Sequence, residues 1–231
     1  MERAFLYGDL LFETILVQAK AIPHLALHYK RLSQSAALLK MELCGLNEEK
    51  FCQEILQEED HFRLHHPDAK NLRARFVLYR NSDGFYLPTS HQTKFQITLF
   101  RFEPKPILQP LKLGVFWEQA KAPGPLANLK TGNALVYVMA SIWAKENDFD
   151  DALIINTQQE IIEASSSNIF WFSQKKWYTP PLSSGCVAGI GRSLFMAENA
   201  CIETPCTLQD LQHAEKCVLT NALQEPREFR V

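Results

Sequence analysis

Apolar residues return along this chain with two different periods, and the switches between them mark out the elements. Between Ala4 and Val17 a turn at Gly8-Asp9 precedes a stretch in which Leu11, Ile15 and Val17 frame Phe12. That pattern predicts a strand. Leu27, Leu32, Ala36 and Leu39 then recur at helical spacing and predict a helix over 26–41, with a second helix near 48–61. Alternation resumes over 73–79 and 95–102, which read as strands. Pro104, Pro106 and Pro110 crowd the span that follows. Neither a helix interior nor a central strand tolerates them. The span therefore predicts a linker over 104–110 between an N-terminal domain, 1–103, and a C-terminal domain, 111–231. Beyond it the pattern predicts a strand over 112–117. A helix over 134–147 follows, with Leu135, Val138, Met139, Ile142 and Trp143 on one face. Paired strands over 151–156 and 161–172, a helix over 193–202 after a glycine turn, and a late strand over 217–220 complete the set. Helices and strands alternate in both halves, with some strands adjacent, so the expected class is mixed α/β.

Composition narrows the function. A chain of 231 residues with 46% hydrophobic content can bury a sizeable core, and its 11% aromatics argue against disorder. A formal charge of -2 without a basic tract makes nucleic acid an unexpected partner and leaves small-molecule chemistry open. No run approaches the roughly 20 apolar residues of a membrane span. The start meets Gly8-Asp9 too early for a signal peptide. Cys44, Cys52, Cys186, Cys201, Cys206 and Cys217 form no CxxC pair, and the expectation is reduced thiols in a cytoplasmic protein.

Four stretches carry candidate chemistry. Gly189-Ile190-Gly191-Arg192 precedes a helical pattern: it is either a plain tight turn or a place where helix-start N–H groups meet an anion. Glu163-Ala164-Ser165-Ser166-Ser167-Asn168 interrupts an apolar strand pattern, as a turn, an exposed edge or the wall of a polar ligand site. Lys130, just ahead of an apolar helix, is either a solvated surface lysine or an amine able to attack carbonyls. His24 and His28 have the spacing of zinc ligands but no third partner, so a surface or capping role is expected and no metal.

Taken in order, the segments resemble the class IV aminotransferase family, the fold-type IV pyridoxal-phosphate (PLP) enzymes. The resemblance rests on Tyr7-Gly8-Asp9-Leu10-Leu11-Phe12-Glu13-Thr14, His28-Tyr29-Lys30-Arg31-Leu32, the Lys130 segment, Glu163 to Phe170, Thr179-Pro180-Pro181, and Gly189-Ile190 with Arg192. It covers nearly the whole chain and implies a small α/β N-terminal domain and a larger, barrel-like α/β C-terminal domain. By position it makes Lys130 the lysine that holds PLP as a Schiff base. Glu163 becomes the carboxylate facing the pyridine nitrogen, and Arg31 the grip on the phosphate. Ile190 and Gly191 become backbone donors to that phosphate, Ser166 and Ser167 part of the cofactor lining, and Thr220 and Asn221 a second loop at the phosphate. Thr14 is expected to tune Lys130 or assist proton transfer. Tyr7, Phe12 and Arg80 are expected to meet substrate, Arg80 through a carboxylate.

Within the family, Thr14 and the run Thr220-Asn221-Ala222-Leu223 are similar to 4-amino-4-deoxychorismate lyases. The implied reaction is conversion of 4-amino-4-deoxychorismate to 4-aminobenzoate and pyruvate, in folate biosynthesis. The alternatives are an aminotransferase of branched-chain or D-amino acids and an inactive relative serving as a binding protein. Three departures stand out. The family's first strands are missing or shortened, the chain stops soon after Asn221, and Gly191 stands where aminotransferases usually carry Thr. The resemblance also implies a homodimer.

Overall fold

The computed structural model describes residues 2–104 and 109–231. Most of the expected linker, residues 105–108, therefore lies outside the described residues. The chain divides into two compact units. One comprises Met1–Pro104 together with Lys130–Asn133, and the other Lys105–Leu129 with Ala134–Val231.

In the first unit the elements run α1 (Arg3–Tyr7), β1 (Leu10–Gln18), α2 (Leu25–Leu38), α3 (Glu48–His65), β2 (Asn71–Arg80) and β3 (Thr93–Phe102). The strands form an antiparallel sheet in the order β1-β2-β3. Alternation along β1 buries Leu11, Glu13, Ile15 and Val17 on one face and leaves Leu10, Phe12, Thr14 and Leu16 half-buried on the other. Phe76 of β2 lies on the same face and meets Phe51 of α3 edge-on at 4.7 Å, and Leu32 and Ala36 of α2 and Ile55 of α3 are buried as well. Each such apolar side chain contributes roughly 1.5–3 kcal/mol. Asn47 caps α3 by accepting from the Lys50 N–H at 2.8 Å, while Glu48 and Glu49 open the helix and Arg63 and His65 close it. These are the charges its dipole favours. The five-residue helix α1 was not expected from the sequence.

The second unit holds β4 (Leu111–Lys121), α4 (Leu135–Glu146), β5 (Asp151–Asn156), β6 (Ile161–Ala164), β7 (Asn168–Ser173), β8 (Lys176–Thr179), α5 (Ile190–Glu198), β9 (Cys201–Glu203), α6 (Leu208–Gln212), β10 (Lys216–Thr220) and β11 (Arg227–Arg230). Eight strands join in the order β6-β5-β4-β11-β10-β7-β8-β9, a mixed sheet curled into a half-barrel. Residues 152–156 are buried without a break because the two faces of β5 serve different cores. Leu153 and Ile155 pack with Leu113, Ile161 and Leu219, whereas Ala152 and Ile154 pack with Phe116, Ile162 and α4. Helix α4 approaches that second core through Ala140 and Ala144, small enough for close contact. The expected apolar face divides: Trp143 packs against that core, whereas Leu135 is 78% exposed and Val138, Met139 and Ile142 nearly half.

Candidate active site

Lys130 belongs to the first unit, in a segment docked on β1. The Phe12 N–H donates to the Lys130 carbonyl at 2.9 Å and the Gly132 N–H to the Leu10 carbonyl at 3.3 Å. The Lys130 ammonium lies 4.3 Å from the centre of the Phe12 ring, and the Arg75 guanidinium lies 3.9 Å from the same ring. These are cation–π distances. Burial, then neighbouring Arg73, pulls Arg75 below its ordinary pKa. Thr14 leaves β1 on the same side as Phe12 and is paired in register with Arg75. Three expected residues, Lys130, Phe12 and Thr14, are thus gathered on the half-buried face of one strand. Arg75 joins them with nothing in the sequence to announce it except its odd-numbered place in an alternating strand.

The opposite face of β1 carries Glu13, which is buried between α2 side chains. Its carboxylate accepts from Arg31 Nε at 2.8 Å and from Arg31 Nη2, and it meets His28 Nδ1 at 2.7 Å. Burial pushes the Glu13 carboxyl up, but Arg31 and then His28 outweigh it, and the group ends below the ordinary carboxylate range. Two-pronged pairing fixes the Arg31 guanidinium plane. His28 is 1% exposed, so the surface or capping role expected of it is corrected: it is the buried partner of Glu13. His24 sits at the start of α2 without a side-chain capping bond.

Arg80 and Tyr7 have other partners. Arg80 Nε donates to Asp9 at 2.9 Å, and its other nitrogens reach the carbonyls of Lys40 and Leu39 and the His91 ring. These bonds tie β2 to the end of α2, and a substrate carboxylate at Arg80 would have to replace some of them. Arg3 shares Asp9 and donates to the carbonyls of Gly84, Phe85 and Tyr86. The Tyr7 ring lies 5.5 Å from that of Tyr86.

In the second unit Glu163 is 3% exposed in β6 and engaged at both oxygens. Its Oε1 accepts from Lys121 Nζ at 2.7 Å and from the Tyr137 hydroxyl at 2.8 Å, and Oε2 accepts from the Val187 N–H at 2.8 Å. Lys121 also donates to the Tyr137 oxygen at 2.6 Å, closing a triangle. Burial and then the Glu163 carboxylate push the Tyr137 phenol far above its usual range, so it remains a donor. The same two causes push the neighbouring Cys186 thiol up to about 12. Neither Lys121 nor Tyr137 was singled out from the sequence. Lys121 ends a strand in Glu118-Gln119-Ala120-Lys121, which reads as exposed, and Tyr137 is one aromatic among the apolar residues of α4.

Of the other expected residues of this unit, Gly191 of α5 lies against Asn221, which in turn meets Ser167. The first N–H groups of α5 have no side-chain cap, so Ile190 and Gly191 present helix-start donors. A Cβ on Gly191 would stand 2.6–2.8 Å from the backbone of Asn221, and one on Gly189 would strike the Asn168 amide. Only glycine allows that approach. Asn221 donates to Ser167 Oγ at 3.2 Å, and Thr220 pairs in register with Asn168. The Ser165–Ser167 run is the turn between β6 and β7, where Ser165 bonds Asp151 and the Ser167 carbonyl accepts from Ala164 N–H.

One unit thus supplies a helix start opposed by a strand end, together with a buried carboxylate, and the other supplies a lysine. The chain therefore carries donors that suit an anion and an amine that can attack a carbonyl. The comparisons with known proteins give it a family. The model of the family "Amino-transferase class IV" matches residues 10–230, and the chain belongs to that family. A protein of Legionella pneumophila described as "Putative 4-amino-4-deoxychorismate lyase" is 23% identical, with a TM-score of 0.87 over 99% of this chain and 84% of that one. The branched-chain aminotransferase of the archaeon Thermoproteus uzoniensis, solved with norvaline, is 19% identical, with a TM-score of 0.84 over 99% of this chain and 79% of that one. The aminodeoxychorismate lyase of Vibrio harveyi is 31% identical over 103 residues, 42% of this chain and 38% of that protein's length. The two structural likenesses establish the fold, which is that of fold-type IV PLP enzymes.

The residues present fit a phosphorylated cofactor. Thr220 Oγ1 is buried without a hydrogen-bond partner in a segment that lies against Gly191. A buried hydroxyl without a partner calls for a ligand group, and uncapped helix-start N–H groups beside it suit an anion.

Proposed function

We propose that this chain is a PLP-dependent lyase that converts 4-amino-4-deoxychorismate to 4-aminobenzoate and pyruvate. The observation that carries the reading is the seating of Thr220-Asn221 against Gly191. The run Thr220-Asn221-Ala222-Leu223 is of the lyase kind, and the Asn221 backbone occupies the space that a threonine at 191, usual in aminotransferases, would need.

Bound PLP supplies an aldehyde that condenses with amines and a ring that accepts the electron pair left on an adjacent carbon. The protein's part is to bind, orient and move protons. Arg31, the Ile190 and Gly191 N–H groups, Thr220 and Asn221 would hold the phosphate, with Ser166 and Ser167 in the lining. Glu163 would favour a proton on the ring nitrogen by accepting its hydrogen bond. With PLP bound, Lys130 Nζ would take the proton from the substrate carbon that bears nitrogen, as general base. The bond between the ring carbon and the enolpyruvyl oxygen would then break, the oxygen leaving with the three-carbon unit, and that proton would reach the enolpyruvyl methylene. The products then balance the substrate with no co-reactant. Thr14, on the same face of β1 as Phe12, assists this transfer, and Phe12 faces substrate.

The discriminating experiment supplies 4-amino-4-deoxychorismate with no keto acid. Pyruvate and 4-aminobenzoate in equal amounts support the lyase, whereas turnover only with an added keto acid establishes the aminotransferase alternative. Lys130→Ala is expected to abolish turnover and covalent cofactor attachment together. A purified protein that never develops the yellow absorbance of attached cofactor, even with added PLP, would leave the binding-protein alternative. We further propose a homodimer in the cytoplasm, as the family resemblance implies.

A further inference from the structure

Glu163 does not meet the cofactor with a free charge. Its Oε1 already receives Lys121 and Tyr137, and its Oε2 receives Val187 N–H. A carboxylate oxygen offers about two acceptor sites, so Oε1 is filled and Oε2 keeps one. The Lys121 side chain is 12% exposed and Glu163 4%, so water does little to screen the pair. The segment that supplies Val187 is itself clamped. Asn128 donates to the Cys186 carbonyl at 2.7 Å and Asn168 to the Val187 carbonyl at 2.9 Å. Oε2 is therefore as fixed as Oε1.

We propose that Lys121 shares the Glu163 carboxylate with the ring nitrogen of PLP and so limits how far that nitrogen is protonated. The inference rests on the reading that Glu163 faces that nitrogen. Two cations on one carboxylate repel each other across it, and the one built into the protein cannot leave. Removing Lys121 leaves Glu163 with the neutral donors Tyr137 and Val187 N–H and no cation competing with the ring, so the ring proton is held harder. Removing the carboxylate does the opposite. Tyr137 acts in the same direction as Lys121, but weakly, because it donates a hydrogen bond without a charge. Lys121 is in this sense a positioning and tuning residue that acts through Glu163.

The test uses the holoenzyme loaded with PLP carrying 15N in the ring, and reads the ring-nitrogen resonance, which separates pyridine from pyridinium. Glu163→Gln is expected to shift it toward pyridine. Lys121→Met is expected to shift it the other way, toward pyridinium, and Tyr137→Phe to follow by a smaller step. Lys121→Gln keeps a donor for Oε1 without the charge and carries the test should Lys121→Met fail to fold. Lysine variants whose resonance stays at the wild-type position, or moves with Glu163→Gln, overturn the proposal and leave Lys121 a structural ion pair. A Glu163→Gln resonance identical to wild type would instead remove the reading that Glu163 faces the ring, whatever the lysine variants do.

Discussion

Glu13 shows how much one buried carboxylate can carry. It has almost no contact with water, yet two cationic or polar partners hold its pKa below that of an unfolded chain. Because the folded value is the lower one, its contribution to stability is complete above the unfolded value of about 4.3 and fades as pH falls through the folded value. Glu13→Gln should therefore flatten the acid limb of a plot of unfolding free energy against pH, measured by urea titration from neutrality to about pH 3. It should also weaken PLP binding, since Arg31 loses the carboxylate that fixes its plane. An acid limb as steep as wild type would show that the pair is not what stabilises this unit at neutral pH. At this scale the sequence was only partly readable. Glu13 and Arg31 stood in recognisable segments, but the bond between them depends on α2 crossing the buried face of β1, which no spacing encodes. Lys121, Tyr137 and Arg75 were invisible for a related reason: each is ordinary in its own segment and acquires meaning only from a neighbour 26 or more residues away or across a strand pair.

Elements succeed or fail in the sequence according to how long their pattern runs. The strands β1, β2 and β3 and the helices α2 and α3 have nine or more residues each and declare their period. The strands β8, β9 and β11 have three or four, too few for alternation to register, and α6 is a five-residue turn stabilised by the capping box of Thr207 and Asp210. The glycine turn before α5 was legible as a turn but not as a contact, because the Asn221 backbone that fills the space beside Gly191 arrives from another strand. That contact makes a prediction. Gly191→Thr forces a side chain into atoms of the main chain 2.6–2.8 Å away. Strain of this kind costs about 1–3 kcal/mol, so the melting temperature should fall. Cofactor affinity should fall further than affinity for pyridoxal lacking its phosphate, as measured by absorbance titration. Equal losses for both ligands would mean that the cradle does not serve the phosphate.

At the scale of the whole molecule, family membership was legible because six weak segments occur in one order, which is information no single segment holds. What no segment could reveal is which face of α4 would be left outside. An apolar stripe of Leu135, Val138, Met139 and Ile142 on the surface is costly in water and favours contact with another surface. Ala140 and Ala144 already take the inward side, so repacking within the unit does not hide the stripe. If the proposed homodimer uses this face, Val138 and Ile142 lie inside it, and glutamate at both positions places two charges in an apolar contact. Sedimentation velocity should then give the wild type a mass about twice 26.5 kDa and the Val138→Glu, Ile142→Glu double variant the mass of a single chain. The circular dichroism spectrum should be unchanged, because both side chains point away from the unit's own core. A double variant that still sediments as a dimer would remove α4 from the interface, and a wild type that sediments as a single chain would remove the dimer.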